Sequence, residues 1–515
     1  MVDSVSSSSN SMRVGGLASG IDTDSIVEKL MNAERQKLYK MQQDQTKLTW
    51  KQDALREVNT SLKSFDTAAF EMRKTTAYNV KSTASTSSAV TATASSTASN
   101  GSYSIQVEHL AKAAINISSG AVAAERTFDP DAPIGEQDFV VDGGTARVVA
   151  DDLKFSFTTY DEDGTAVPHQ FNDFKTTDSL NSILQKITDS DAGVRAFYDK
   201  QSDQVVLEKK DTGKFNKDGK EIEFSTDNNK FFTAFLKLDQ VNEKGAQDAT
   251  FTYNGQLTLT SHKNSYEVSG VSFQFAQETT QAVQVSVNND VDAAFNKIKD
   301  FIDSYNEIVE NVNTKLSEKV YRDYTPLTDE QKKEMSEDEI KLWEEKAKSG
   351  LLKGETALQS GMYSLRSAWY NKVDNEGKYS HLAELGITTS DNYLDDGKLV
   401  IDEDKLKAAL RESPRDVYKL FSNNAEGEGR GIINRIEDTL QVTMDNITHR
   451  AGKADQTNQQ FTLGRRLVEI QTRIDDFQDY LTQTEDRYWR QFSAMEQAIS
   501  KMNSQSSYMM SNFGG

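Results

Sequence analysis

Five histidines, His109, His169, His262, His381 and His449, are the side chains best suited to hold a metal or pass a proton near neutral pH. A zinc site needs such residues in a compact motif such as H-E-x-x-H, and here they are scattered along the whole chain. Each therefore reads as an isolated surface or packed histidine. Gly427-Glu428-Gly429-Arg430-Gly431 has the glycine density of a phosphate loop. It lacks the Lys-Ser/Thr ending and a preceding strand, so the reading is a hinge. Gly350-Leu351-Leu352-Lys353-Gly354-Glu355-Thr356 misses the Walker spacing, and Asp161-Glu162-Asp163-Gly164 lacks the alternating ligands of a calcium loop. Plain turns account for both. With 80 Asp and Glu, close carboxylate pairs are unavoidable and mark no general acid or base. The chain has no cysteine, which removes thiolate chemistry and a disulfide framework. The expectation is a protein that is not an enzyme and has no catalytic, metal or cofactor residue.

The elements that such residues would need tell a different story. Near the N-terminus Met41, Leu48, Leu55, Leu62 and Ala69 repeat every seven residues, and Val58, Phe65 and Met72 form a second seam offset by three. Together they are the a and d positions of a coiled coil. Extended upstream, the second seam meets Asp44 and Lys51, which would weaken it there. Ile26, Leu30, Ala33, Leu38 and Met41 still keep helical spacing. Asp22 is placed to cap the helix, with Ile21 and Ile26 at staple positions.

At the other end Leu467, Ile470, Ile474, Phe477, Leu481, Thr484 and Tyr488 alternate steps of three and four. After two consecutive steps of four, Phe492, Met495, Ile499, Met502, Ser506, Met509 and Phe513 resume the alternation, a stutter that locally unwinds a supercoil. Amphipathic helices packed in an ordinary globular core are the alternative, and the length of both runs argues against it. Lys and Arg balance Asp and Glu across residues 1–75 and 463–515 taken together, so the net charge of -21 lies between them. Neutral striped ends can crowd together, while an acidic middle stays solvated. A nucleic-acid binder would show a basic face instead. No apolar run reaches the ~18 residues of a membrane span, which excludes membrane insertion by a helix. The first residues carry no apolar signal core, so the expected location is the cytoplasm or a route of export that reads another signal.

Between the ends the pattern is mostly that of strands. From Ser82 to Ser99 all residues but Val90 are Ala, Ser or Thr, which reads as a linker or as half of a hairpin: Val90, Ala92 and Ala94, a turn at Asn100-Gly101, then Tyr103, Ile105 and Val107. Further strands are expected at Phe139–Val141 and Arg147–Val149, at Lys154–Tyr160, at Val194–Tyr198 and Gln204–Glu208, and at Thr250–Tyr253 and Gln256–Thr260 around Asn254-Gly255. Asp178 is placed to cap a short helix carrying Leu180, Ile183, Leu184 and Ile187, and Asp211-Thr212-Gly213 reads as a turn. Phe295, Ile298, Ile302, Tyr305, Val309, Val312 and Leu316 stripe one face of a long helix. The charged stretch Tyr321 to Gly350 reads as a solvated helical excursion. Gly386 to Ile401 reads as a hairpin, Asp402 as the cap of a helix, and Pro414 as the start of another. The fold class is α+β multidomain, with terminal helices forming a coiled-coil leg and nested β-rich head domains. The division expected is 1–40 with 450–515 as leg, 41–78 with 288–449 as helical stalk, 79–110 with 247–287 as a β-rich domain, and 111–246 inserted into it.

Several stretches coincide with one family. Gly16-Leu17-Ala18-Ser19-Gly20-Ile21-Asp22, Gly101-Ser102-Tyr103-Ser104-Ile105-Gln106-Val107 with Leu110-Ala111, Phe301-Ile302-Asp303-Ser304-Tyr305-Asn306, Leu382-Ala383-Glu384-Leu385-Gly386-Ile387-Thr388-Thr389 and Ser504-Gln505-Ser506-Ser507-Tyr508 resemble, in order and spacing, the flagellar hook-associated protein 2 family of filament caps. Leu180 to Gly213 resembles the small module shared by flagellins and their relatives, and the stretch Tyr321 to Gly350 departs from the family as an insertion.

The resemblance implies a structural role at the distal end of the bacterial flagellar filament. Copies would form a homo-oligomeric ring, a pentamer by resemblance, that retains exported flagellin and promotes its folding and insertion. Hook-filament junction proteins and an export chaperone are further implied partners, and type III export would read a polar N-terminal tail in residues 1–19. Leg packing and filament contact would fall to Leu30, Leu38, Met41, Leu48, Leu55, Val58, Leu62 and Phe65, with Leu467, Ile470, Ile474, Phe477, Leu481, Tyr488, Phe492, Met495, Ile499 and Met502 opposite. Polar d positions at Asp44 and Lys51 would let a leg release and rebind. Two alternatives remain open from the residues: a surface adhesin for host or mucus glycans, and a cytoplasmic coiled-coil scaffold.

Overall fold

A computed structural model describes residues 20–124, 128–225 and 229–513. The expected export tail, residues 1–19, lies outside the described residues. Among the described residues ten α-helices occur in chain order: α1 Thr23–Met72, α2 Leu180–Asp189, α3 Val291–Ser317, α4 Asp329–Lys333, α5 Glu337–Lys348, α6 Thr356–Tyr370, α7 Glu403–Glu412, α8 Pro414–Ser422, α9 Ile432–Ala451 and α10 Thr462–Phe513. Two compact units contain them, one of residues 1–78 and 292–515, the other of 79–291.

The first unit is helical. Asp22 caps α1 by accepting the Ser25 N–H at 3.0 Å. The lower half of α1 buries Leu55, Val58, Leu62, Phe65, Ala69 and Met72, and packs on α9. Phe65 stacks on Phe301 of α3 at 5.1 Å, and Tyr305, one turn on, meets Trp369 of α6 at 5.1 Å. The motif ending at Asn306 thus has two jobs. Its apolar members fill this core, while the Asn306 amide donates to the Leu399 carbonyl at 2.8 Å and accepts the Leu399 N–H at 2.7 Å. That fixes the short hairpin Ile387–Thr389 and Leu399–Ile401 on α3. α6 and α9 approach so closely that a Cβ on Gly361 would lie 2.5 Å from Thr443 Cγ2.

Asp402 caps α7 through the Lys405 N–H at 3.2 Å, and that bond holds its carboxyl below the ordinary 3.8. A depressed folded value means stability that is present above the unfolded value and lost as pH falls through the folded one. Asp402→Asn keeps the cap but cannot titrate, so its denaturation midpoint is expected to fall less than the parent's between about pH 5 and about pH 3. Equal falls for both would show that Asp402 carries none of the acid sensitivity.

The second unit has two cores. Strands 81–85, 283–289, 101–109, 249–253 and 257–261 form one antiparallel sheet in that order. With the sheet of 265–268, 271–275 and 90–94 it encloses Ile105, Val107, Phe251, Val271, Phe273 and Val285. The Asn254-Gly255 hairpin forms as read, both residues having positive φ. The hairpin expected at Asn100-Gly101 does not form. Val90–Ala94 pairs with Val271–Phe275, and Gly101–His109 lies between strands 283–289 and 249–253. Both alternating stretches find apolar partners far away in sequence, and a local turn cannot compete with that burial.

A chain segment inserted between strands 101–109 and 249–253 builds the other core. Here α2 lies on a sheet of 113–117, 204–212 and 194–199, and Phe139, Phe155, Phe157, Phe231, Phe232 and Phe235 are buried among its aliphatic side chains. Three local readings are corrected. Ser179, not Asp178, caps α2 by accepting the Ser182 N–H at 3.2 Å, while Asp178 accepts from Lys175. The strand partner of Phe139–Val141 is Gly144–Ala146 rather than Arg147–Val149, because Asp142 and Gly143 complete the turn. Asp211 and Thr212 continue the strand, and the chain turns only after Gly213.

Candidate functional site

The two terminal helices lie side by side and antiparallel. Val27, Met31, Leu38 and Met41 of α1 interlock with Ile470, Ile474 and Leu481 of α10, and Phe477, Tyr488, Trp489 and Phe492 pack around them. Cross-links along the pair give its register. Gln45 Nε2 donates to Gln471 Oε1 at 2.6 Å, the Lys37 ammonium stands 5.0 Å from the Phe477 ring, and the Tyr488 hydroxyl donates to Glu34 at 3.4 Å.

The reversal that aims α10 back along α1 is built by α1 itself. Gln52 is buried and donates to the Ala451 carbonyl at 3.0 Å, and Arg56 donates to the carbonyls of Ala451, Gly452 and Lys453. Those carbonyls end α9 and would otherwise lack partners. Gly452 has φ +70, and a Cβ there would sit 2.3 Å from the buried Phe461 ring. Beside this corner the Glu355 carboxylate, 1% exposed, receives Lys51 at 2.9 Å and Arg450 at 2.8 Å. The contacts are ionic, and they tie α1, α9 and the start of α6 to one buried charge.

The expected site residues fall into three groups. Leu38, Met41, Leu467, Ile470, Ile474 and Leu481 are buried, and Phe477, Tyr488 and Phe492 are partly buried. Leu467 lies in the second turn of α10, next to the α9–α10 corner. Leu48, Met495 and Ile499 are half-buried. Leu55, Val58, Leu62 and Phe65 are buried in the helical core with α3 and α9 instead of against α10. Leu30 is 38% exposed and Met502 is 62% exposed, so neither is part of the seam. The seam runs one residue later at the top of α1, through Val27 and Met31.

Asp44 and Lys51 are likewise not seam positions. Asp44 is exposed and Lys51 pairs with Glu355. The buried or half-buried track is Met41, Gln45, Leu48, Gln52, Leu55, Val58, with two steps of three at its end. This stammer shifts the phase by one, and counting back from Val58 in sevens therefore misses Gln45 and Gln52. The polar positions are real, but they are glutamines. Replacing Gln45 and Gln471 together by leucine is expected to raise the stability of the pair by about 1 kcal/mol. Thermal unfolding followed by helix signal measures it, and an unchanged or lower midpoint would show that the glutamines are not a weak point.

The stutter near Tyr488 leaves α10 unbroken, and Trp489 joins Tyr488 on the packed face to cover the drift in phase. From Ser500 to Met510 the side chains of α10 are exposed, among them Met502, Met509 and Met510. The charged excursion is helical as read, in α4 and α5. It is braced by Trp343 Nε1 donating to the Thr325 carbonyl at 2.8 Å, and it rests on α1, where Lys348 stands 4.8 Å from the Trp50 ring. The glycine run at 427 is not a hinge. Glu428 and Gly429 carbonyls accept from Asp374, Arg435 and Asn423, which pins it. The histidines stay apart, and among the described residues no group of His, Asp or Glu is arranged to hold a metal.

The family model for the flagellar hook-associated protein 2 C-terminus matches residues 246–504, and that for its N-terminus matches residues 19–114. A flagellar hook-associated protein 2 from Halalkalibacterium halodurans is 38% identical over 96% of this chain and 98% of its own length. The chain belongs to the flagellar hook-associated protein 2 family. A second family member, from Thermotoga maritima, is 26% identical over 96% of this chain and 95% of its own. In three dimensions the chain is similar to the flagellar cap protein FliD D1-D2-D3 domains from Escherichia coli. The TM-score is 0.52 at 21% identity, covering 77% of this chain and 96% of that one, which is a likeness of fold. Both family models leave most of the inserted core, residues 115–245, unmatched, so the family signature lies on the helical unit and on the first core of the β unit.

Proposed function

We propose that this chain caps the distal end of the bacterial flagellar filament, retaining exported flagellin and promoting its folding and insertion. The observation that carries the reading is the antiparallel pairing of the two termini in a chain that matches a flagellar hook-associated protein 2 from end to end. A paired terminus makes a rod with a narrow apolar seam and polar outer faces, suited to sit against other helices and to be withdrawn. The role is structural and not enzymatic.

Finer assignments belong to the same proposal. Copies assemble as a ring, taken as a pentamer. The leg consists of residues 1–40 and 450–515, the stalk of 41–78 and 288–449, and the β-rich head of 79–110 with 247–287, carrying 111–246. The exposed C-terminal part of α10 with Met502 and Met509 contacts the filament, and hook-filament junction proteins and an export chaperone are met on the way. The comparisons lend no support to the adhesin or the cytoplasmic scaffold.

Complementation tests the proposal. Expressed in a flagellated bacterium that lacks its own cap and carries the matching flagellin, the chain should restore long filaments and remove flagellin monomer from the medium. Export of the chain with flagellin still lost to the medium would sink it.

A further inference from the structure

The two cores of the β unit are joined by two chain crossings, which pair as a short ribbon. Lys112 and Gln247 exchange backbone hydrogen bonds at 2.8 and 3.1 Å, and Ile115 and Lys244 do so at 2.8 and 2.9 Å. A two-stranded ribbon alone can bend and twist, and modules joined in this way swing unless something else holds them. A third contact exists. The turn His262–Asn264, which ends the hairpin of strand 257–261, reaches the inserted core at the end of strand 204–212.

We propose that this turn is a latch that fixes the inserted core rigidly on the core it interrupts. The Thr212 hydroxyl donates to the His262 carbonyl at 2.7 Å, and the His262 ring lies 4.5 Å from the ring of Phe215. Asp248, on the crossing, bonds His262 Nδ1 at 2.8 Å and the Lys214 N–H at 2.7 Å through the same oxygen. Asn264 grips the other crossing, accepting the Ala111 N–H at 2.7 Å and donating to the Ala111 carbonyl at 2.9 Å. One turn therefore touches both crossings and the inserted core.

The platform under His262 is built to be stiff. Phe215 is buried, and the Lys209 ammonium stands 4.1 Å from its ring. Lys209 pairs with Glu221 at 2.9 Å, side chains 3% and 0% exposed, and donates to the Tyr160 carbonyl at 2.6 Å. Glu221 in turn accepts the N–H groups of Phe215 and Asn216 at 2.7 Å each. Lys209 thus makes two hydrogen bonds and Glu221 three, and breaking a pair this buried leaves an uncompensated charge, so the loop cannot shift by small steps. Gly213 records how tightly the turn is seated: with φ +107, a Cβ there would lie 2.7 Å from both Cα and Cβ of His262. Glycine is required at that position by the latch contact itself.

The absence of cysteine makes the test clean, because two introduced thiols can be labelled alone. Val241 on the inserted core and Leu257 on the other are exposed. Spin labels at Val241→Cys and Leu257→Cys in the full chain should give one narrow distance distribution. Adding His262→Ala, or independently Gly213→Ala, should widen it by about twofold or split it. His262→Ala is the conservative arm, since it removes the ring without inserting any atom. A distribution already broad in the labelled parent would overturn the latch, and so would one that stays narrow in His262→Ala.

Discussion

Phe65→Ala should lower the stability of the helical unit by about 3–5 kcal/mol, more than any other single truncation along α1. Phe65 is 2% exposed, stacks nearly parallel on Phe301 at 5.1 Å and lies 6.2 Å from Tyr305. Its ring sits between α1 and α3 at the point where the Tyr305 and Trp369 rings lock α6 to the same cluster. Alanine removes the shared partner of two aromatic rings, and the helices cannot close over the gap because the α6–α9 contact at Gly361 is already at its limit. Denaturant unfolding measures the loss. The cores of the β unit contain neither Phe65 nor its neighbours, so the transition reporting on them should keep its midpoint. A loss under about 1 kcal/mol would mean that the cluster repacks and that the helical unit is not held together at this point.

How much of this was legible follows from where the apolar residues could find only one partner. From Leu55 to Met72 every step of three or four falls on an apolar side chain, so the buried face could be read directly. Above it, α1 offers two equally apolar tracks, Ile26 with Leu30 and Val27 with Met31, and only α10 selects the second. Gln45 and Gln52 were unreadable for another reason: each is a seam residue whose value lies in a hydrogen bond across hundreds of residues, to Gln471 and to the Ala451 carbonyl. In the β unit the Asn254-Gly255 turn was legible because its backbone geometry is set by those two residues alone. The pairing of Val90–Ala94 with Val271–Phe275 was not, because nothing local encodes a partner so distant in sequence. The motif ending in Asn306 shows the middle case. Its helix was plain, while the clamp on Leu399 needed the fold.

Ile474→Asp should separate the leg's function from the rest of the molecule. Ile474 is 3% exposed at the centre of the α1–α10 seam, in an apolar cluster with Leu38, Met41, Ile470 and Leu481. Leaving a carboxylate there charged and buried costs about 3 kcal/mol or more, enough to part the two helices locally, since the seam is a single narrow stripe. The aromatic cluster and the pinned corner at Ala451 lie elsewhere on α1 and should hold. The variant is expected to be exported and folded in its helical core and β unit, to give filaments much shorter than the parent's, and to release flagellin into the medium. Ile474→Val, which keeps the apolar contact, should behave as the parent. The comparison discriminates because both variants change one buried side chain, and only one disrupts the pairing. Full-length filaments from Ile474→Asp would mean that the cap holds its place without a paired leg, and the role proposed for the termini would have to pass to another surface of the chain.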